Sequence, residues 1–374
     1  MRRWSQAGPV LLLLVNTALA EDPDWPTLPV TPHSDLQAVD ANGTGTFPMT
    51  DPIRVQGVLL NRPQDMLDPT AGTPVYMGGT WQVFLQADAT GDFGGTALWM
   101  GQYIGRMSGN HPAGSYNDAE WVAELDRITI DDATGRRMRP GDRVEVRARA
   151  PGLFFRGKTN INEQHIKAPE QDFDAVLLGP AVGLPAPTAI TLSDVKDAAD
   201  EFLFDSTRQT GAERYQASLV EISGVSFVNP AGWGPGASLT LTDGAGRTLP
   251  VLLGRSRGFV AHPALAGPFS IVGIFDQEDT DGSDGWRAGY RLWVMGFNGQ
   301  EFIVPIQPGD TDGDGDVDLR DLAWLQSCYA GAGAPPADAW CDDFDLDFDG
   351  DVDEDDLVEV LTCLGGPDSP VACP

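Results

Sequence analysis

The sequence predicts a mostly β chain: two β-barrel units in tandem, followed by a small, strongly acidic α-helical unit. Three observations predict it. The 374 residues include 44 glycines and 29 prolines but only 21% charged residues, a mix that suits short strands joined by tight turns and disfavours helical bundles. Short apolar runs bounded by turn residues recur from Ile53 to Met295. Residues 306–374 hold 19 acids against one base, Arg320, and so carry −18 of the formal net charge of −31.

Arg2 and Arg3 precede an unbroken apolar run from Val10 to Val15, and Ala18-Leu19-Ala20 offers small residues for cleavage. This is the pattern of a secretory signal peptide over 1–20, since the run is far shorter than the ~20 apolar residues that span a bilayer. No later segment is long and apolar enough to span. Residues 21–305 then carry −15. Counterion release cannot favour such a body on nucleic acid without a local basic face, so bulk nucleic-acid binding is disfavoured.

Residues 21–50, rich in Pro, Asp, Thr and Gly, read as a flexible lead-in. Residues 51–187 form the first β unit, with strand-like runs at Ile53–Leu60, Trp81–Gln86, Thr96–Ile104, Trp121–Ile130, Arg143–Ala150 and Ala175–Leu178. The second unit, 188–305, has runs at Ser218–Val228, Ser238–Thr242, Thr248–Leu253, Phe269–Phe275 and Tyr290–Met295, the strand count of an OB-fold barrel. Residues 191–204, with Leu192, Val195, Ala199, Phe202 and Leu203, predict a helix between the units. The phrases from Gly141 and Gly157, and from Gly267 and Gly289, resemble the last two strands of tandem OB-fold modules in secreted bacterial proteins, some of them nuclease-associated. That resemblance covers 51–305.

Residues 306–374 contain a duplication. The pattern D-x-D-x-D-G-D-V-D-x-x-D runs from Asp310 to Asp321 and again, 35 residues on, from Asp345 to Asp356. A hard dication takes six to eight oxygens at short range. Asp310, Asp312 and Asp314, and Asp345, Asp347 and Asp349, supply carboxylates at positions 1, 3 and 5. Gly315 and Gly350 allow the sharp turn at position 6. Asp316 and Asp351 offer main-chain carbonyls, Asp318 and Asp353 act through water, and Asp321 and Asp356 close each shell. Two Ca2+ ions per chain are expected. Val317 and Val352 should point inward and tie the loops together. Each loop leads into an apolar stretch at helical spacing (Leu322, Leu325; Leu357, Val358, Leu361), so two short helices should pack face to face. A unit this small and this acidic draws much of its folding energy from metal.

The duplicated loop-helix unit resembles a type I dockerin over 308–366, the module that plugs bacterial extracellular proteins into cohesin receptors. The resemblance implies calcium at the loop oxygens and partner recognition at positions 10 and 11, here Leu319 and Arg320 in one copy and Glu354 and Asp355 in the other. It also implies a setting in polysaccharide breakdown at the cell surface. The four cysteines, Cys328, Cys341, Cys363 and Cys373, all lie in this unit and should be oxidised. The sequence leaves their three pairings open.

One further site is a candidate. Residues 136–158 hold eight bases against Asp142 and Glu145. Strand alternation places Arg143, Arg147 and Arg149 on one face, and with Lys158 they suit an acidic polysaccharide or a nucleic-acid strand; the plainer reading is a solvated face that balances nearby acids. Trp81, Trp99, Trp121, Trp233, Trp286 and Trp293 are stacking candidates or core. Gly254, Ser256 and Gly258 match a nucleophile elbow with His262 nearby, but the β-rich context lacks the strand-turn-helix which that elbow needs. Residues Asp279 to Gly285 read as a polar hairpin loop. The sequence therefore reads as a secreted, non-catalytic, calcium-dependent modular protein, with a secreted hydrolase of polysaccharide or nucleic acid, its site on the barrels, as the alternative.

Overall fold

The computed structural model describes residues 23–48, 50–63, 68–69, 79–101, 116–149, 152–162, 173–254, 256, 258–297, 299–303, 309–310, 316–334, 341, 344, 346 and 351–366. The signal segment 1–20 and Ile104 lie outside them. No helix among the described residues is long and apolar enough to cross a membrane.

The lead-in carries structure that its composition hides. It holds a 3-10 turn at Trp25–Thr27 and an α-helical turn, α1 (His33–Leu36), which lies against the first β unit, with Trp25, His33, Leu36 and Gln37 buried. Gln37 donates to Thr159 O at 2.8 Å and accepts from Thr159 N at 3.0 Å, as a neighbouring strand would. Gly57 makes room for this strap: a Cβ there would lie 3.0 Å from His33 Nε2 and 2.5 Å from Gln86 O. The expected flexible lead-in is thus a packed strap over these residues.

The first unit runs β1 (Ile53–Leu59), β2 (Asp68–Pro69), β3 (Gly79–Gln86), β4 (Gly95–Gly101), α2 (Asp118–Thr129), β5 (Ile130–Asp131), β6 (Arg136–Arg137), β7 (Arg143–Ala148), β8 (Leu153–Phe155), β9 (Lys158–Asn162) and β10 (Phe173–Gly179). Its main sheet has the order β10-β7-β1-β3-β4-β9-β8, with β4 and β9 parallel. Inward residues of alternate positions, among them Val55, Val83, Leu98, Val144 and Val146, fill its core.

Helix α2 replaces the strand expected at Trp121–Ile130. Asn117 and Glu120 form a reciprocal cap, Glu120 N donating to Asn117 Oδ1 and Asn117 N to Glu120 Oε2, each at 3.0 Å. Trp121, Glu124 and Ile128 are buried at the i, i+3, i+7 spacing of one helix face.

The second unit runs β11 (Thr188–Ile190), α3 (Leu192–Val195), β12 (Ser218–Phe227), β13 (Ser238–Thr242), β14 (Thr248–Leu253), α4 (Gly258–Ala261), β15 (Phe269–Gln277) and β16 (Tyr290–Val294), then β17 (Gly296–Phe297) and β18 (Phe302–Ile303). β12 pairs with both β13 and β15, and β14 pairs in parallel with β16, which closes a five-strand barrel of order β12-β13-β14-β16-β15. The helix expected over 191–204 stops at Val195. Asp197 Oδ1 accepts the N–H groups of Ala199 and Glu201, a local turn that outcompetes helical bonding, and Asp200 takes a left-handed φ of 65°.

The two units share a strand path. In each, the first strand pairs with the second and the fourth, and the third runs parallel to the fifth. They differ at the fourth strand: β15 bonds to β16, whereas β7 gives its outer edge to β10. Two closed barrels were expected. Among the described residues one barrel closes and the other sheet stays open.

Leu60, Phe84 and Ala97 of the first unit and Ala217, Leu219, Ile274 and Met295 of the second form a shared apolar core. Beside it Lys158, buried, meets buried Asp276 at 2.5 Å. The outer face of β3, β4 and β9 is therefore covered by the closed barrel.

Candidate metal centre

The C-terminal unit contains α5 (Leu319–Cys328) and α6 (Glu354–Cys363), and its two halves repeat at the 35-residue offset. Asp321, Leu325 and Cys328 are buried on α5, and Asp356, Val360 and Cys363 on α6, each at i, i+4, i+7. Val317 and Val352 are fully buried, as expected, in the core that Phe344 and Leu346 complete. They tie each loop to the end of the opposite helix. Val317 O accepts from Gly365 N at 3.0 Å and Gly366 N at 3.2 Å; Val352 O accepts from Ala330 N at 2.9 Å and Gly331 N at 3.1 Å.

The apolar expectation for α6 is corrected. Val358 and Leu361 are 57% and 48% exposed, and Leu357 packs on the core instead. With Leu319 at 71%, Tyr329 and Leu364, they give this unit five exposed large apolar side chains.

Of the twelve expected ligand residues, Asp312, Asp314, Asp345, Asp347 and Asp349 lie outside the described residues, as do Gly315 and Gly350. The other seven are placed. Asp310, Asp316, Asp321, Asp351 and Asp356 are buried; Asp318 and Asp353 are half-buried. Carboxylate oxygens of Asp316, Asp318 and Asp321 lie within 4.8 Å of one another, and so do those of Asp351, Asp353 and Asp356.

Local chemistry explains why the last two of each set converge. Asp318 and Asp353 are the N-caps of α5 and α6, accepting from Arg320 N at 2.6 Å and Asp355 N at 2.8 Å. Asp321 and Asp356 reach back and accept the cap residue's own N–H at 2.7 Å. Each acidic loop thus ends in a capping box. The D-x-x-D spacing was visible in sequence and went unread as a helix start.

The donor set fits a hard dication. Every placed group is a carboxylate, suited to calcium rather than to a soft metal, and burying several at close range demands compensating charge. Arg320 is the one base that residues 306–374 contain. Cys328 and Cys341 are disulfide-bonded, which closes the pairing left open by sequence, and Cys363 is also in a disulfide. The unit therefore has a covalent staple of its own, which tempers the expected dependence of its folding on metal.

The basic stripe is used internally. Arg143 Nε meets Asp88 at 2.6 Å, Arg147 Nε meets buried Glu145 at 2.8 Å, and Arg149 meets Asp174 at 2.8 Å. Glu145, whose carboxyl would be pushed up by burial, is held below its usual range by bonds from Arg54, Gln56 and Arg147. Lys158 is removed from the stripe altogether, since it is buried against Asp276. Arg139, from the same basic segment, meets Glu359 of α6 at 2.6 Å and so joins the first unit to the C-terminal one.

Trp121 is core, and Trp233 packs among Phe227, Phe259 and Phe297. Ser256 is buried, its Oγ accepting from Gly258 N at 3.1 Å. Asp279 to Gly285 connect antiparallel β15 and β16, as a hairpin loop should. No family model, curated protein or solved structure matches the chain.

Proposed function

We propose that the chain is a secreted, non-catalytic modular protein whose C-terminal unit, of the type I dockerin kind, binds two calcium ions and docks the chain into an extracellular polysaccharide-processing or cell-surface assembly. The observation that carries this reading is the repeated carboxylate triad, Asp316, Asp318 and Asp321 and then Asp351, Asp353 and Asp356, each set at the start of a helix. Calcium at these loops would fix the helix starts and so the outward side chains of α5 and α6. Leu319, Val358 and Leu361, and the acidic Glu354 and Asp355, are exposed on these two helices, and in this reading they contribute the apolar and charged contacts of the docking surface.

The β units read as OB-fold-like. In the second unit the path first-second-third-fifth-fourth, closed on the first strand, is that of a five-stranded Greek-key barrel, and the first unit shares the path without the closure. In this reading they are the cargo or spacer that the docking unit carries.

The test is capture from the cell envelope of origin by immobilised full-length chain. A partner retained in calcium, released by chelator, and lost with Leu319→Glu plus Leu361→Glu supports docking. Equal retention in calcium and chelator refutes it.

A further inference from the structure

A chain of buried polar groups crosses the seam where the strap, the first unit and the closed barrel meet. Asp92, in the hairpin between β3 and β4, accepts from His33 N at 2.8 Å and Ser34 N at 2.9 Å. Arg208, in the segment that leads into β12, donates from Nη1 to Ser34 O and from Nε to Glu213 O, both at 3.2 Å. Glu213 Oε1 accepts from the hydroxyl of Tyr290, on β16, at 2.5 Å. His33, Arg208, Glu213 and Tyr290 are all buried.

Two atoms of this chain are mismatched. Glu213 Oε2 and Arg208 Nη2 are buried and find no hydrogen-bond partner among the described residues, although Arg208 Nε stands only 3.7 Å from Oε2. An ionised carboxylate leaves that oxygen charged and without a donor at hydrogen-bond distance; a neutral acid does not. The guanidinium fork is engaged instead on the Ser34 and Glu213 carbonyls.

We propose that Glu213 is a proton-operated latch on this seam: as the neutral acid it leaves the Arg208 fork on Ser34, and on losing its proton it draws the fork onto Oε2 and loosens the strap.

The groups that face it are few. Arg208 and the Tyr290 hydroxyl favour its ionised form, yet burial outweighs them and pushes Glu213 up to about 7. Tyr290 stays protonated, held well above its usual value by burial and by Glu213, with Asp279 adding to the effect. On the far side of Arg208 stand Asp92, Asp88 and His33, whose own value burial lowers from 6.5. His33 is common to wild type and to Glu213→Gln, so its own titration cancels when the two are compared and the difference between them belongs to Glu213. A raised acid contributes fully to the closed state below its ordinary 4.5, and that contribution fades as pH rises through about 7.

The test is amide hydrogen exchange of Leu36 and Gln37 in the full chain, corrected for intrinsic rates, between pH 6 and 8. Their N–H groups bond to Pro32 O and His33 O and so report strap opening. The ratio of the wild-type opening equilibrium to that of Glu213→Gln should rise about tenfold across this range, as one charge-assisted bond shifts partner. Identical profiles overturn the latch. Should the variant not fold, carboxyl-carbon NMR of wild-type Glu213 decides: a midpoint near 7 supports the latch, and one near 4.5 overturns it.

Discussion

Removing either end of the Lys158–Asp276 pair should separate the two β units, and the two removals should differ. Lys158 Nζ lies 2.5 Å from Asp276 Oδ1, with Gln82 Oε1 its other neighbour at 3.4 Å. Asp276 is better supplied: Arg291 Nη2 reaches its Oδ2 at 2.9 Å and Trp293 Nε1 donates at 3.2 Å. Breaking a buried pair from one side costs about 3 to 5 kcal/mol because a charge is left uncompensated. Lys158→Met keeps the apolar stem and leaves Asp276 with Arg291, so its cost should fall near ~3 kcal/mol. Asp276→Asn strands an ammonium on a single weak acceptor and should cost ~5 kcal/mol.

The sign of its pH dependence separates this cause from mere misfolding. Burial already pulls Lys158 below its ordinary 10.5 and Asp276 opposes that pull. Without Asp276 the folded state binds fewer protons than the unfolded one. Stability of Asp276→Asn should therefore rise as pH rises toward 10.5. Urea unfolding of the β units, followed by tryptophan fluorescence at pH 7 and pH 9.5, measures both quantities. Losses below ~1 kcal/mol in both variants would refute the reasoning.

Three further outcomes are expected. Asp356→Ala removes the acceptor of Asp353 N and of Leu346 N, so in chelator it should destabilise α6 by about 3 kcal/mol, read as lost amide protection at Val360 and Cys363. His33 Nε2 lies 3.0 Å from Gln56 O and Nδ1 lies 2.8 Å from Thr96 Oγ1, and burial lowers the value of the ring. Stability from this group is present above 6.5 and lost as pH falls below it, so the melting temperature of wild type relative to that of His33→Gln should fall on going from pH 8 to 5. Glu213 contributes with opposite sign in both proteins and cancels from that comparison. Ala175 lines a 30 Å³ apolar cavity with Ile128, Met138 and Phe173, and at ~24 cal/mol per Å³ its filling by Ala175→Val should add up to about 0.7 kcal/mol; a lower urea midpoint contradicts this.

The parts legible in sequence were those whose chemistry fixes residue type position by position. Turn residues bound Ser238–Thr242 and Thr248–Leu253 so tightly that both ends of each strand match the structure. Val317 and Val352 were placed inward for the same reason, because a repeated loop leaves position 8 no other direction. Helix α2 was misread since Trp121, Val122, Ile128 and Thr129 favour strands locally, while its cap at Asn117 and Glu120 is a two-residue signal. The strap was missed because isolated buried residues, Trp25, His33 and Leu36, make no period. The sequence alone could not choose between a site and a charge-balancing face for the basic stripe, because its partners, Asp88 and Asp174, arrive from other parts of the chain. Pattern along one strand cannot show what stands across from it.

The claim that the C-terminal unit is a calcium module rests most directly on a count. Equilibrium dialysis of the full chain, followed by elemental analysis, should find two calcium ions per wild-type chain and none at the loops of Asp314→Ala with Asp349→Ala. A wild-type chain that retains no calcium, or a double variant that still retains two ions, would contradict it.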